Sequence, residues 1–211
     1  MKHKKHQKAY YATLIQKTWR GYIIRKRLFA LKDAFDLKAI KSMLTNFVEY
    51  TNTILIANKK LKCKKIRNAN FPSEISENIV KYAIRNHKKV CPTWDTKCGD
   101  LVIQINDMIE KRIEVKGFSS TGPSSFGPKE KWDLLYFIDC RRYKEKKFIV
   151  YEINLSNDDP RWQNIKINST HTYKQVCKQG KRPRISFHNI IPQLKNKYVK
   201  IIFSGHINSL R

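Results

Sequence analysis

The chain has 211 residues and a formal net charge of +27, from 44 Lys+Arg against 17 Asp+Glu. Hydrophobic residues make up 41% and aromatics 11%, enough to bury a core, which excludes a wholly disordered basic tail. No run approaches the roughly 18 apolar residues of a membrane-spanning helix. The charge calls for a polyanionic partner, with nucleic acid the first candidate, an acidic protein the second and an anionic membrane surface the third.

The N-terminal stretch has charge but neither an apolar signal core nor a small-residue cleavage site, which argues against secretion. The five cysteines (Cys63, Cys91, Cys98, Cys140 and Cys177) are odd in number and scattered, as expected of reduced thiols inside a cell. Basic charge is concentrated early: net +15 within residues 1–67 and +12 over residues 68–211. The first segment is read as a basic helical extension and the second as a folded domain.

From Ala9 to about Leu31, Leu14, Ile15, Trp19, Tyr22, Ile23 and Phe29 recur at spacings of three and four, which predicts an amphipathic helix. Within it, IQKTWRGYIIRKRL (residues 15–28) resembles the IQ motif at Ile15, Gln16, Arg20, Gly21, Arg25 and a closing Leu28. That resemblance implies docking into a calmodulin-like partner, whose groove would take the apolar stripe and whose acidic rim would meet the cations. The same helix could instead grip DNA phosphates or pack on the core. If residues 1–35 bound no calmodulin resin with or without Ca²⁺, the docking reading would be lost. Calmodulin is eukaryotic, and a large DNA virus of a eukaryotic host would reconcile this motif with the reading of the rest of the chain.

A second helix is expected over about Phe35–Leu61, followed by the charge run KKLKCKKIR at Lys59–Arg67. After Pro72 a third helix is expected, with Ser73 as N-cap, Glu74 and Glu77 near its positive end, and Ile75, Ile79 and Ala83 on its buried face. The pattern then turns to β: Asp100–Ile105, Arg112–Lys116, Leu134–Ile138, Phe148–Leu155 and Val199–Phe203. Gly117–Lys131 (GFSSTGPSSFGPKEK) reads as a loop. Helices followed by strands make an α/β (α+β) fold with a mixed sheet.

The first two strands form a hairpin turning around Asn106–Glu110. Alternation puts Glu114 and Lys116 on one face, and antiparallel pairing brings Asp100 beside Glu114. Two carboxylates with an ammonium suit Mg²⁺-dependent phosphodiester hydrolysis. Asp100, Glu114 and the Val115 carbonyl would hold the ion, while Lys116 orients the attacking water. Glu-x-Lys alone carries little information, because eight Glu and 32 Lys in 211 positions give roughly one match by chance. The second match, Glu145–Lys147, lies in a charged turn with no upstream acid.

The context separates the two. GDLVIQINDMIEKRIEVKGFSSTGPSSFGPKEKWDLLYFIDC resembles the catalytic core of the PD-(D/E)xK nucleases, and most closely type II restriction endonucleases that cut short palindromic sites. The acid opening one strand, the E-x-K on the next, the Ser/Thr/Gly-rich loop and the pair Trp132–Asp133 carry the likeness, which runs over roughly Phe71–Leu155. Gly99 stands where the superfamily's name has proline. The resemblance implies catalytic Asp100, Glu114 and Lys116, a supporting acid at Glu77, double-stranded DNA as substrate and a homodimer. Glu77 is also placed to pair with Lys81 one turn on. Ser119, Ser120 and Thr121 could donate to phosphate or simply form a loop. For reading DNA the candidates are Asn154–Gln163 and TYKQVCKQGKRPR, within which Lys178, Gln179, Lys181, Arg182 and Arg184 would enter or border a groove.

Overall fold

In the computed structural model the described residues are 37–60, 66–67, 69–95, 100–106, 109–194 and 197–210. The IQ-like residues Ile15, Gln16, Arg20, Gly21 and Arg25, most of the charge run after Lys60, and Gly99 lie outside them. Residues 37–60 are helical (α1). The chain divides compactly between Ser42 and Met43, and the fold described below belongs to residues 43–211. No helix among the described residues is long and apolar enough to cross a membrane.

Helix α2 (Ser73–Lys88) starts at Pro72, which sits at the N-cap with extended backbone. Ser73, the expected N-cap, is instead the first helical residue, and no side chain caps the end. Pro72 supplies the preset φ that starts the turn and has no N–H to satisfy. The helix ends at Lys89, whose left-handed backbone (φ 58) returns an N–H to the Arg85 carbonyl. Ile75, Ile79, Val80, Tyr82, Ala83 and Ile84 are fully buried, so α2 is a core helix held by packing more than by propensity.

Seven strands follow: β1 (Thr93–Trp94), β2 (Leu101–Asn106), β3 (Ile109–Phe118), β4 (Ser124–Ser125), β5 (Leu134–Asp139), β6 (Lys147–Ile153) and β7 (Arg184–Ile185). An eighth, β8 (Val199–His206), closes the series. The main sheet has the order β1-β2-β3-β5-β6-β8. Only β3 and β5 run parallel in it, and every other neighbouring pair is antiparallel. The mixed sheet flanked by helices is the architecture expected from the sequence. A parallel neighbour requires a crossover, and residues 119–133 supply it.

That crossover corrects the reading of Gly117–Lys131 as a plain loop. Gly117 and Phe118 still belong to β3, and Ser124–Ser125 pair antiparallel with Arg184–Ile185. The crossover thus carries a short ribbon that clips the C-terminal region to the site. Gly117 pairs with Ile138, and a Cβ on Gly117 would stand 3.2 Å from Ser76 of α2. The missing side chain lets α2 approach the end of β3 at Gly117, one residue along the strand from Lys116.

The opposite face of the sheet carries Leu135 and Phe137 into a cluster with Phe118, Phe126, Trp132, Trp162, Tyr173 and Phe187. Phe126, Trp132, Trp162 and Tyr173 meet one another mostly edge to face, at centroid distances of 5.5–6.4 Å. Trp162 comes from α3 (Pro160–Gln163), capped by Asp159, and Tyr173 from α4 (Tyr173–Lys178), which opens with a capping box between Thr172 and Gln175. Helix α5 (Phe187–Gln193) adds Phe187 and Ile190. On the α2 side, buried Glu152 accepts the Tyr136 hydroxyl and pairs with Lys88 at 2.5 Å, tying the helix end to β5 and β6.

Candidate active site

The β2–β3 hairpin sets the geometry. Leu101 pairs with Ile113, so Asp100 lies just beyond the first rung. Its N–H donates to the Ile113 carbonyl at 3.2 Å, and its Oδ2 accepts from the Val115 N–H at 2.7 Å. Since the N–H and C=O of one strand residue leave on the same edge, the Val115 carbonyl also points to the edge where Asp100 sits. Glu114 and Lys116 direct their main chains towards β5 and their side chains to the aromatic face. There the Lys116 ammonium bonds the Glu114 carboxylate directly, lies 3.4 Å from Glu130 Oε2, and caps the Phe126 ring at 5.2 Å.

The acids are strained by their surroundings. Glu114 is only 5% exposed. Burial pushes its carboxyl up to about 7, with Lys116 pulling it down and Asp100 and Glu130 adding to the rise. Glu77 reaches about 7 as well, first through burial and then through the negative charges of Asp100, Glu74 and Glu114, with Lys116 opposing. Asp100 is raised by burial against the opposing pull of the Val115 N–H and Lys116. Burial works against the charge on Lys116, yet Glu114, Glu130 and Asp100 together hold its pKa above the ordinary value. Four acidic groups and one ammonium therefore form one electrostatic unit.

In kind, this donor set fits a hard divalent cation: carboxylate oxygens, a carbonyl on the same edge, and mutual repulsion that a cation would relieve. It is not gathered into a ready-made cage. Among the described residues no three His, Cys, Asp or Glu side chains stand where they could already hold a metal, because Glu114 is turned onto Lys116 and Asp100 onto the Val115 N–H.

Beside Lys116 lies a groove of about 400 Å³ lined by Arg67, Phe71, Ser119, Ser120, Ser124 and Arg184, among others. Ser119, Ser120 and Arg184 thus come to the same hollow as Lys116. Gln179, Lys181 and Arg182 share a second hollow of about 320 Å³, with Arg184 between the two. Lys178 lines a third, with Glu130 and Lys131. Not every polar residue of this region is available for recognition. The Gln175 side chain is used in the capping box, and Asn157 binds the Glu130 carbonyl and the Trp132 N–H. Asp133 accepts the Arg112 N–H, Asp139 pairs with Arg141, and the second Glu-x-Lys is an exposed pair with Arg142.

Sequence reasoning passed over Glu130 and Arg67. Glu130 sits in a Lys-Glu-Lys run that reads as solvated charge, and nothing local signals that the crossover folds it onto Lys116. Arg67 lies at the end of the charge run Lys59–Arg67, where one cation among many carries no signal of its own.

A search of known proteins finds the model of the Bsp6I restriction endonuclease family matching residues 35–193. That range takes in α2, the β2–β3 hairpin, the crossover and the basic region to Arg184, and it begins after the IQ-like segment. The type II restriction enzyme Bsp6I of Bacillus sp. (strain RFL6) is 28% identical over 140 residues, covering 61% of this chain and 69% of that protein. No solved structure matches. The chain belongs to the Bsp6I restriction endonuclease family.

Proposed function

We propose that this chain is a type II restriction endonuclease of the PD-(D/E)xK kind, hydrolysing double-stranded DNA at a short palindromic site with Mg²⁺. The observation that carries the reading is the meeting of Asp100, Glu114 and Lys116 at one strand end, at the mouth of a basic groove, in a chain of this family. Asp100, Glu114 and the Val115 carbonyl would hold Mg²⁺, with Glu77 supporting. The ion would supply Lewis acidity toward the phosphate and an acidified water.

The remaining steps belong to the protein's own groups. Lys116, held beside the scissile phosphate, orients the water through its ammonium protons and offsets the negative charge that grows as the phosphorus–oxygen bond forms. Ser119 and Ser120 donate to phosphate oxygens, and Arg67 and Arg184 supply the charge that seats the backbone. Lys178, Gln179, Lys181 and Arg182 border the groove where base edges would be read. A palindrome presents two identical strands to be cut, which a two-fold dimer meets with one site on each.

The test is a digest of unmethylated supercoiled plasmid in Mg²⁺ and in EDTA. Discrete fragments in Mg²⁺ alone are expected, and their sequenced ends give the site. Linear product without a build-up of nicked circles would mark paired cutting by a dimer. A smear would remove the site specificity. No cutting across varied, methylation-free DNA, with binding retained, would replace the nuclease by a DNA-binding protein.

A further inference from the structure

Glu130 is held more firmly than a solvated charge would be. Its N–H donates to the Gly127 carbonyl at 3.3 Å, and its own carbonyl accepts from Asn157 Nδ2 at 3.0 Å. Its side chain passes so close to Gly127 that a Cβ there would lie 2.7 Å from Oε1. Only glycine leaves that path open. The carboxylate then offers one oxygen to each of two cations: Oε2 lies 3.4 Å from Lys116 Nζ, and Oε1 lies 3.7 Å from Arg182 Nη2.

We propose that Glu130 is a positioning residue for Lys116, and that it ties Lys116 to the basic loop around Arg182. The inference rests on the nuclease reading and adds a residue outside the Asp100–Glu114–Lys116 set. In the free protein Lys116 leans on Glu114. Once Glu114 is drawn to a cation, that partner is lost, and Glu130 is the carboxylate still in contact with the ammonium. It holds the charge beside the scissile phosphate, where a displacement of about 1 Å costs on the order of 100-fold in rate.

The second oxygen supplies the link to recognition. The Arg182 side chain is 66% exposed, and a long, exposed ion pair of this kind is weak. A DNA phosphate displaces Glu130 from Arg182 readily, and the carboxylate is then left to Lys116 alone. Contact of the loop with DNA is thereby felt at Lys116 through a single side chain.

The test uses a duplex carrying the site located by the plasmid digest, with wild type, Glu130→Gln, Arg182→Ala and the double variant. Single-turnover cutting by Glu130→Gln falls about 10- to 100-fold. Arg182→Ala weakens binding of the duplex and changes the saturated cutting rate by the same factor whether or not Glu130 is present, because DNA has already parted the pair. In EDTA, Glu130→Gln binds the duplex a few-fold more tightly, since Arg182 no longer leaves a partner, and this gain vanishes in the double variant.

Wild-type cutting by Glu130→Gln, or an affinity gain from Glu130→Gln that persists in the double variant, would overturn the proposal while leaving the nuclease reading intact. Failure of the wild type to cut any DNA would overturn both. Gly127→Ala displaces the same carboxylate without changing charge. It gives the same loss of rate and decides the matter if Glu130→Gln does not fold.

Discussion

Lys116→Ala is expected to lower single-turnover DNA cleavage by about 10²- to 10⁴-fold while leaving DNA affinity in EDTA within a few-fold of wild type. The two effects separate because they depend on different properties of the residue. Affinity in a chain of net charge +27 is spread over many phosphate contacts, and removing one cation lowers the salt slope by at most about one phosphate. Cleavage in the proposed mechanism depends on the ammonium that bonds Glu114 and lies 3.4 Å from Glu130.

The substitution has a further consequence that a collapsed site would not reproduce. Lys116 is the cation that occupies Glu114 in the free protein, so its removal takes away a competitor of Mg²⁺ for that carboxylate. The rise in melting temperature on adding Mg²⁺ is therefore expected to be at least as large for Lys116→Ala as for wild type. A variant that cuts at the wild-type rate would remove Lys116 from the reaction. One that loses cutting, DNA binding and the Mg²⁺ response together would show only that the site had been destroyed.

The second large effect is on stability without metal. Glu114 and Glu77 both have carboxyls raised to about 7 in the fold from an ordinary 4.5. Between those values the folded chain binds protons that the unfolded chain has released, so stability falls as pH rises through the interval, and the loss is complete above about 7. For Glu114, which is 5% exposed, the loss is about 3 kcal/mol. Glu77 acts in the same direction with a smaller weight, because it is partly open to solvent that screens its charge.

Urea unfolding of the EDTA-treated protein is thus expected to give a lower free energy at pH 8 than at pH 5. Mg²⁺ should recover part of the difference at pH 8, and Glu114→Gln should flatten the slope. An unchanged slope in Glu114→Gln would refute the assignment to this carboxylate. The same groups must be deprotonated to hold a cation, and the cation in turn lowers their pKa, so cutting in Mg²⁺ is expected to climb with pH over a range at or below about 7, opposite in sign to the stability of the metal-free chain.

How far these residues could be read in advance followed their separation along the chain and the kind of contact that joins them. The hairpin was legible because it is local. Asp100 and Val115 are 15 residues apart, two runs of β-formers flank one turn, and alternation assigns Glu114 and Lys116 to one face without knowledge of anything else. Helix α2 was legible through its apolar spacing, although its cap was not. Ser73 is the usual capping residue type, but Pro72 occupies that position.

Tertiary structure decided the rest. No local pattern states that β3 pairs with β5 in parallel, and that pairing obliges residues 119–133 to cross the sheet and lays Glu130 on Lys116. The short helices that deliver Trp162 and Tyr173 to the aromatic cluster are four and six residues long, too short for periodicity to register. The β4–β7 ribbon brings Arg184 to the groove beside Lys116 from 68 positions away in the chain. Alternation, propensity and charge are properties of neighbours, and they were enough to give the β2–β3 hairpin, the mixed α/β class and the basic composition. Which acid steadies the lysine, and which cations share its groove, depended on strand order and packing, which are settled by contacts that chain proximity does not encode.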